Sequence, residues 1–255
     1  MRLVRYLLGG QVYYGAVEGE GVKRITGNPF GEHTVAASNR PLSEVKLLPP
    51  VVPGKVIAIA LNYKSHLGSR PQPKRVEPFF KTPSCIVGPE DAIILPKDAG
   101  RVDAEGELVA VIGKRCRNVT KREDTWDYVM GFTCGNDVSA REWQNGTDKD
   151  VQWWRAKSAD TFGPIGPWVL TEFDPYNSRV TTRINGQVAQ DESTKDLIYS
   201  VPEIIMAVSR YITLEPGDLI FTGTPGTTQP LKPGDVVEVD IASIGVLRNP
   251  VQGEA

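Results

Sequence analysis

Cysteine and histidine are scarce in this sequence: its 255 residues include three cysteines and two histidines. The cysteines, Cys85, Cys116 and Cys134, are odd in number, widely spaced and without a C-x-x-C motif, which argues against a disulfide framework or a structural zinc site. We therefore expect reduced, buried thiols. A chain of this length can bury a substantial core without such cross-links.

Long apolar runs and blocks of one charge are also absent. The longest apolar run, VIAIAL at 56–61, is far shorter than the roughly 20 residues that span a membrane. The N-terminus lacks the apolar region of a signal peptide, so we expect a cytoplasmic protein with no membrane partner. The net charge is only −2 and neither sign is clustered, so a basic footprint for nucleic acid is missing.

Residues 1–50 have the pattern of a small β-rich lobe. Alternating segments at 2–8 and 11–17 flank two consecutive glycines, which predicts a β-hairpin. The proline-rich segment 49–54 that follows is stiff and cannot be a helix or a central strand. We therefore predict a small N-terminal domain at 1–50 and a larger domain at 51–255.

The larger domain contains short strands separated by turn signals. Strand character is clearest at 92–95, 107–112, 128–133 and 168–170, followed by a hairpin turn at Asn185-Gly186. One helix is well marked: it begins at a capping box formed by Ser200 and Glu203 and has one apolar face. This pattern predicts a mainly β fold with some α, in a rolled or barrel-like arrangement rather than a doubly wound sheet.

Acidic residues at alternate positions precede the apolar run at 108–112. Asp103, Glu105 and Glu107 share one face if the segment is extended, and side chains two apart then lie roughly 6.5 Å from each other. Such carboxylates repel unless a proton or a cation relieves them, and Mg²⁺ or Mn²⁺ accepts hard oxygen ligands of this kind. Asp137, after another apolar strand, is a further candidate ligand. The spacing alone leaves a solvated strand edge equally open.

A series of short motifs runs through the larger domain. They are Asn62-Tyr63-x-x-His66, D-x-E-x-E-L at 103–108, V-I-G-K at 111–114, Gly135-Asn136-Asp137, Arg141-x-x-Gln144, Lys157-x-x-Asp160-x-Phe162, Asn185-Gly186-x-x-x-Gln190 and Thr222-Gly223-Thr224-Pro225. In this order, over roughly residues 50–250, they resemble the fumarylacetoacetate hydrolase family. The lobe at 1–50 is similar to the small N-terminal domain that many bacterial members carry.

The resemblance implies a mixed β-sandwich roll, often dimeric, with a divalent metal ion held by two glutamates and an aspartate. In this sequence those ligands are Glu105, Glu107 and Asp137, and we expect Mg²⁺ or Mn²⁺, with Ca²⁺ as an alternative. Family members act on small anionic 2-keto or diketo acids through a metal-stabilised enolate. We therefore expect an enzyme that acts on a keto acid. We also expect this enzyme to be a homodimer.

The resemblance also implies roles for residues around the metal. Arg141 and Gln144 lie three apart on an expected short helix and would orient a substrate carboxylate or keto oxygen. Lys157 would place an ammonium against the enolate, and Thr224 belongs to a loop whose amides can approach a ligand. His66 matches a general acid–base on a lid that orders over substrate. Without the resemblance, these positions fit an exposed helix face, a surface lysine and a plain turn.

One position departs from the family pattern, because many members carry a glutamate three residues after this histidine and this sequence has Ser69. Serine cannot stabilise an imidazolium as a carboxylate does, so hydrolysis is the activity most affected, and Glu77 is the nearest downstream acid. Three hypotheses follow. The first is an acylpyruvate- or fumarylacetoacetate-type C–C bond hydrolase. The others are an isomerase of hydroxymuconate-type diacids or an oxaloacetate-type decarboxylase, and a catalytically weakened protein that binds metal and oxalate-like anions.

Overall fold

Twenty β-strands dominate the protein in a computed structural model that describes residues 1–255. Strands β1 to β10 are Arg2–Leu8, Gln11–Glu18, Gly21–Gly27, His33–Pro41, Lys46–Leu48, Val56–Ile59, Pro78–Lys81, Ile86–Val87, Ile93–Leu95 and Val102–Ala104. Strands β11 to β20 are Gly106–Ile112, Val129–Asn136, Ser139–Ala140, Gly163–Leu170, Arg179–Ile184, Gln187–Ser193, Leu219–Phe221, Gln229–Pro230, Val236–Ile241 and Gly245–Gly253. The mainly β prediction is confirmed.

Helices are few and short. The α-helices α1 to α3 are Arg141–Asn145, Trp154–Ser158 and Val201–Ser209. The 3₁₀ turns are Leu42–Glu44, Lys64–His66, Pro83–Cys85, Glu123–Tyr128 and Thr194–Asp196. None of the helices has the length and apolar character needed to cross a membrane.

Two open sheets and one small sheet organise the strands. The largest has the order β4-β3-β2-β1-β14-β12-β11-β17-β6-β7, with β5 added to β1 and β8 added to β14. The second has the order β16-β15-β19-β20-β9, and the third is β13-β10-β18. The predicted roll is therefore built from open sheets, and no sheet closes on itself into a barrel.

The N-terminal hairpin is confirmed, with β1 and β2 antiparallel from the pair Arg2 and Val17 to the pair Leu8 and Gln11. Two glycines with positive φ make the turn between them, in a conformation that residues with a Cβ adopt at a cost. Strand β1 also pairs with β14, so the strands of the first lobe continue the large sheet. The division into domains at residue 50 stays a prediction.

The main core lies between the large sheet, the five-stranded sheet and helix α3. Its buried side chains include Ile57 from β6, Leu108 from β11, Ile204 from α3 and Val239 from β19. The predicted capping box of α3 is present, and the helix ends at Ser209, one turn earlier than its apolar pattern extends. All three cysteines are free and buried, as predicted.

Strand β11 is covered on both faces, which explains its continuous apolar sequence. Leu108, Ala110 and Ile112 belong to the main core, whereas Val109 and Val111 belong to a second cluster on the opposite face. Alternate side chains therefore have fixed partners on each side, and slipping the strand by one residue would exchange both sets. The acidic segment at the start of β11 is held in place by this packing.

Candidate functional site

Three carboxylates converge where β11 begins and β12 ends. Glu105, Glu107 and Asp137 each offer an oxygen within 4.8 Å of the others, and their exposed fractions are 3%, 2% and 1%. Strands β11 and β12 are antiparallel, with Glu107 opposite Gly135. The backbone N–H of Asp137 donates to the carbonyl oxygen of Glu105 at 2.8 Å. The sheet register thus brings two separate motifs together.

Two buried lysines contact this triad. Lys157 of α2 donates from Nζ to Glu105 Oε2 at 2.7 Å and to Asp137 Oδ2 at 2.6 Å. Lys81, at the end of β7, donates to Asp137 Oδ1 at 2.7 Å and to the backbone carbonyl oxygen of Lys157. The sequence did not indicate Lys81, because a single lysine at a strand end matches no motif and only its contact with Asp137 identifies it.

Burial and neighbouring charges have opposite effects on the pKa values of Glu105 and Lys157, and they act in the same direction on that of Glu107. Burial alone would raise the pKa of Glu105, but Lys157 and Arg141 outweigh burial and hold that pKa well below its usual value. Burial, Asp137 and Glu105 together raise the pKa of Glu107 well above its usual value. Burial would lower the pKa of Lys157, but Asp137 and Glu105 raise it. Lys157 is therefore held as an ammonium.

The donor set fits a divalent cation. Three buried carboxylates supply the hard oxygen ligands that Mg²⁺ and Mn²⁺ prefer. Glu107 is the member without an ion pair: Oε2 accepts a hydrogen bond from the backbone N–H of Gly223 at 2.7 Å, and Oε1 has no donor. A cation at the triad would relieve the repulsion among the carboxylates and complete the bonding of Glu107.

Arg141, on the predicted short helix α1, uses four of its five N–H groups within the protein. Its guanidinium donates to Glu105 Oε1 at 2.6 Å and to Asp103 Oδ2 at 2.8 Å. It also donates to Gln144 Oε1 at 2.7 Å and to Thr228 Oγ1 at 2.8 Å. Arg141 therefore positions a metal-ligand candidate, whereas the amide nitrogen of Gln144 has no partner in the protein and is available to a ligand.

Thr224 is committed in the same way. Its hydroxyl donates to the carbonyl oxygen of Gly106 at 2.9 Å and accepts from Gln190 Nε2 at 2.8 Å. Gln190 in turn accepts a hydrogen bond from the N–H of Gly106 at 3.0 Å. Both residues thus clamp the glycine between Glu105 and Glu107, and the positioning role of Gln190 is visible only in the structure.

His66 ends the 3₁₀ turn Lys64–His66 at the rim of the site. Its Nδ1 lies 2.6 Å from the carbonyl oxygen of Gly226. A carbonyl oxygen can only accept, so Nδ1 carries the proton and Nε2 is the free nitrogen. The N–H of Gly226 donates to Ser65 Oγ at 3.0 Å, which gives a second bond between the turn and the same residue.

No carboxylate pairs with His66. Ser69 is exposed on the turn that follows it. Glu77, the nearest downstream acid, is exposed and lies 3.1 Å from Arg75. The carbonyl of Gly226 therefore occupies the place at Nδ1 where a carboxylate could have acted.

All eight residues that the sequence indicated line one cavity of about 550 Å³. They are Glu105, Glu107, Asp137, His66, Lys157, Arg141, Gln144 and Thr224. Further residues of the wall are Arg70, Phe79, Arg101, Asp103, Trp153 and Thr228; the sequence had pointed to Asp103 as the first of the alternating acids, and it did not indicate Phe79, Arg101 or Thr228. The cavity can hold a cation, bind an anion at Lys157 and Gln144, and place an imidazole beside both.

Family models match nearly the whole chain. Residues 55–252 match the model described as fumarylacetoacetate (FAA) hydrolase C-terminal, and residues 1–50 match the one described as Rv2993c-like, N-terminal. The chain belongs to the fumarylacetoacetate hydrolase family. The resemblance inferred from the motifs is confirmed.

Named relatives of this family member are enzymes. The chain is 43% identical to the mitochondrial oxaloacetate tautomerase FAHD2A of Bos taurus, over 83% of this chain and 71% of that protein. It is 38% identical to a 2-hydroxyhepta-2,4-diene-1,7-dioate isomerase from Mycobacterium marinum, with a TM-score of 0.92 and coverage of 100% and 99%. It is 31% identical to maleylpyruvate hydrolase from Sphingobium sp. SYK-6 in complex with manganese(II) ion and pyruvate, with a TM-score of 0.83 and complete coverage of both chains. The chain is thus a family enzyme, among relatives with different reactions.

Proposed function

We propose that this enzyme catalyses keto–enol isomerisation of small 2-keto acids, with Mg²⁺ or Mn²⁺ held by Glu105, Glu107 and Asp137. The observation that carries the proposal is the buried triad beside Lys157 and beside a histidine with a free Nε2. The tautomerase and isomerase relatives support this reaction class. The manganese in the related hydrolase supports the choice of metal.

Substrate binding falls to the groups that the protein leaves free. A divalent ion at the triad would supply Lewis-acid stabilisation of the charge that develops on the keto oxygen. An ammonium has three N–H donors, and two of those of Lys157 make hydrogen bonds to Glu105 and Asp137. Its third donor and the amide nitrogen of Gln144 orient the carboxylate and keto oxygen of the substrate.

His66 carries the proton transfer. With Nδ1–H bonded to Gly226, Nε2 takes a proton from C3 of the substrate, and the electron pair of that C–H bond moves to form the enolate. The proton then passes from Nε2 to the enolate oxygen, which returns the imidazole to its neutral form. Substrate and product are isomers, so no water is consumed and no C–C bond breaks.

Hydrolysis of a C–C bond, the first hypothesis from the sequence, becomes the second candidate. The maleylpyruvate hydrolase neighbour supports it. Hydrolysis also requires an activated water, and His66 has the carbonyl of Gly226 rather than a carboxylate to stabilise its charged form. Isomerisation makes a smaller demand on the imidazole, because its positive charge exists only between two proton transfers.

Separate assays of three reactions test the proposal. The protein is treated with EDTA and reloaded with Mg²⁺ or Mn²⁺. Enol formation from oxaloacetate is followed by ultraviolet absorbance, and pyruvate release from oxaloacetate and from acetylpyruvate is followed with a coupled dehydrogenase. We expect metal-dependent enolisation faster than either pyruvate-forming reaction, lost in Glu107→Gln and retained in Glu77→Gln, an exposed control.

The other outcomes identify the alternatives. Faster pyruvate release from acetylpyruvate would replace isomerisation by C–C hydrolysis, and faster release from oxaloacetate would replace it by decarboxylation. Metal binding without turnover of any of the three would favour the catalytically weakened binder of oxalate-like anions.

A further inference from the structure

Arg101 lines the cavity but has no part in the chemistry above. Its Nε and Nη2 donate to the two carboxylate oxygens of Asp103 at 2.7 and 3.1 Å, and Nη2 also lies 3.4 Å from the carbonyl oxygen of Thr228. Nη1 has no partner in the protein, and the side chain is 55% exposed. One edge of the guanidinium is therefore anchored and the other is available to a ligand.

The anchor of Arg101 is rigid. Asp103 is 1% exposed and also accepts hydrogen bonds from Arg141 Nε at 2.8 Å and from Thr228 Oγ1 at 2.7 Å. An arginine held in this way loses little conformational freedom when it binds an anion, and Nη1 keeps two N–H donors for a carboxylate. Arg101 is preorganised, unlike a free surface arginine.

Arg101 stands apart from the metal triad. Asp103 and Glu105 are two residues apart, a spacing of roughly 6.5 Å in extended chain. Between Arg101 and Glu105 lie the carboxylate of Asp103 and the guanidinium of Arg141. A keto acid bound at the triad through its carboxylate and keto oxygen would keep that end away from Arg101, so only the far end of its carbon chain can reach the guanidinium.

The charge of the cavity suits a ligand with two negative charges. Its wall carries four carboxylates and four cations, namely Asp103, Glu105, Glu107, Asp137, Arg70, Arg101, Arg141 and Lys157, and the buried Lys81 beside Asp137 adds a fifth cation. With all of these groups ionised and a divalent ion bound, the formal charge is three positive. A dianion compensates two of these charges, whereas a monoanion compensates only one.

We propose that Arg101 is a specificity-determining residue that binds the second carboxylate of a dicarboxylate substrate through Nη1. This inference rests on the proposed function, which places the keto-acid end of the substrate at the triad. Removing a charge-assisted hydrogen bond of this kind lowers affinity by about 10- to 100-fold. A substrate without the second carboxylate never makes this hydrogen bond, so its affinity should not change when Arg101 is replaced.

The test compares a diacid with a monoacid. Enolisation of oxaloacetate and of acetylpyruvate is measured with the metal-loaded protein and with Arg101→Gln, whose amide can still donate to Asp103. We expect kcat/KM for oxaloacetate to fall about 10- to 100-fold, mainly through KM, and kcat/KM for acetylpyruvate to stay within about threefold. Arg115→Gln, which alters an exposed arginine paired with Glu215 outside the cavity, should leave both unchanged.

Three results would overturn the assignment. Equal losses for both substrates would mean that Arg101 acts only through Asp103 and Arg141. Unchanged kinetics would mean that it contacts no substrate. A change in the diacid-to-monoacid ratio in Arg70→Gln, but not in Arg101→Gln, would assign the second carboxylate to the arginine after the His66 turn.

A binding measurement separates this inference from the proposed reaction. Calorimetric titration of the manganese-loaded protein with 2-ketoglutarate and with pyruvate requires no turnover. We expect the wild-type protein to prefer the diacid and Arg101→Gln to lose that preference. If this preference is observed without any enolisation, Arg101 keeps its role and the isomerase proposal fails. If enolisation is observed without the preference, the isomerase proposal stands and the assignment of Arg101 fails.

Discussion

The imidazole of His66 donates from Nδ1 to the backbone carbonyl oxygen of Gly226, with the two atoms 2.6 Å apart. This bond fixes the ring tautomer and leaves Nε2 for proton exchange with a ligand. A carbonyl dipole stabilises an imidazolium less than the full charge of a carboxylate would. The contact therefore favours chemistry in which the charged ring is short-lived.

Ser69→Glu should shift the enzyme toward hydrolysis, because it places a carboxylate on the exposed turn three residues after His66. General acid–base assistance is worth about 10²- to 10⁴-fold, so we expect acetylpyruvate hydrolysis to rise by about tenfold or more. Enolisation should change less. The coupled assay for pyruvate and the ultraviolet assay for the enol, run side by side on the variant and the wild type, measure both changes. Ser69→Gln is the uncharged control, and an equal rise in both variants would contradict the explanation.

Lys157→Met should destabilise the metal-free protein. Its ammonium binds Glu105 and Asp137 inside the protein, and removing one partner of a buried ion pair costs about 3–5 kcal/mol. Mn²⁺ should restore part of the loss, because a cation can replace the ammonium between the two carboxylates. Urea unfolding in EDTA and in Mn²⁺ measures both effects. Lys46→Met removes a largely exposed pair with Asp91 and should cost about 1 kcal/mol or less; an equal cost for both variants would refute the prediction.

Glu107→Gln should become increasingly stabilising in metal-free protein as the pH rises. Burial, Asp137 and Glu105 raise the pKa of Glu107, so the folded state holds this proton more tightly than the unfolded chain does. The stability that this gives is present at low pH and is lost as the pH rises through the folded pKa. The free energy of unfolding of the wild-type protein in EDTA should therefore fall relative to the variant from about pH 4.5 upward.

The matched control for that series is Glu77→Gln, an exposed glutamate, which should give a flat difference from the wild type. Added Mn²⁺ should reverse the order of stability, since only the wild-type triad is complete. A difference between Glu107→Gln and the wild type that does not change with pH would show that Glu107 is not held protonated.

Gly106→Ala should disturb the start of β11, because a methyl group there would overlap Thr182 Oγ1. Overpacking of this kind costs about 1–3 kcal/mol and would also displace the neighbouring metal-ligand candidates. The Thr182 hydroxyl is buried without a hydrogen-bond partner, so Thr182→Ala alone should cost about 1 kcal/mol or less. The double variant should recover most of the loss. A double-mutant cycle on unfolding and on Mn²⁺ affinity measures this coupling, and simple additivity would contradict it.

Much of the site could be predicted from the sequence. The alternation of Glu105 and Glu107 before an apolar run is a local property of extended backbone, and the order of motifs was sufficient to identify the family. The capping box at Ser200 and the turn at Asn185-Gly186 are equally local, and both predictions are confirmed. The homodimer and the cytoplasmic location stay predictions.

Other features depend on which distant segments meet. The sequence offered Arg141 and Thr224 as ligand contacts, which stay predictions, and only the structure shows that their side chains also hold Glu105 and Gly106. The lobe that looked separate joins the large sheet through β1 and β14.

By itself, therefore, the sequence determined the mainly β fold, which follows from local spacing and turn residues, and it determined the family and the set of carboxylates through the order of its motifs. Only the tertiary structure decided the partner of His66, the burial of Lys81 against Asp137 and the anchoring of Arg101. The bond of His66 to Gly226 spans 160 residues and the pairing of Lys81 with Asp137 spans 56. Sheet register and packing bring such residues together, and no local pattern encodes that distance.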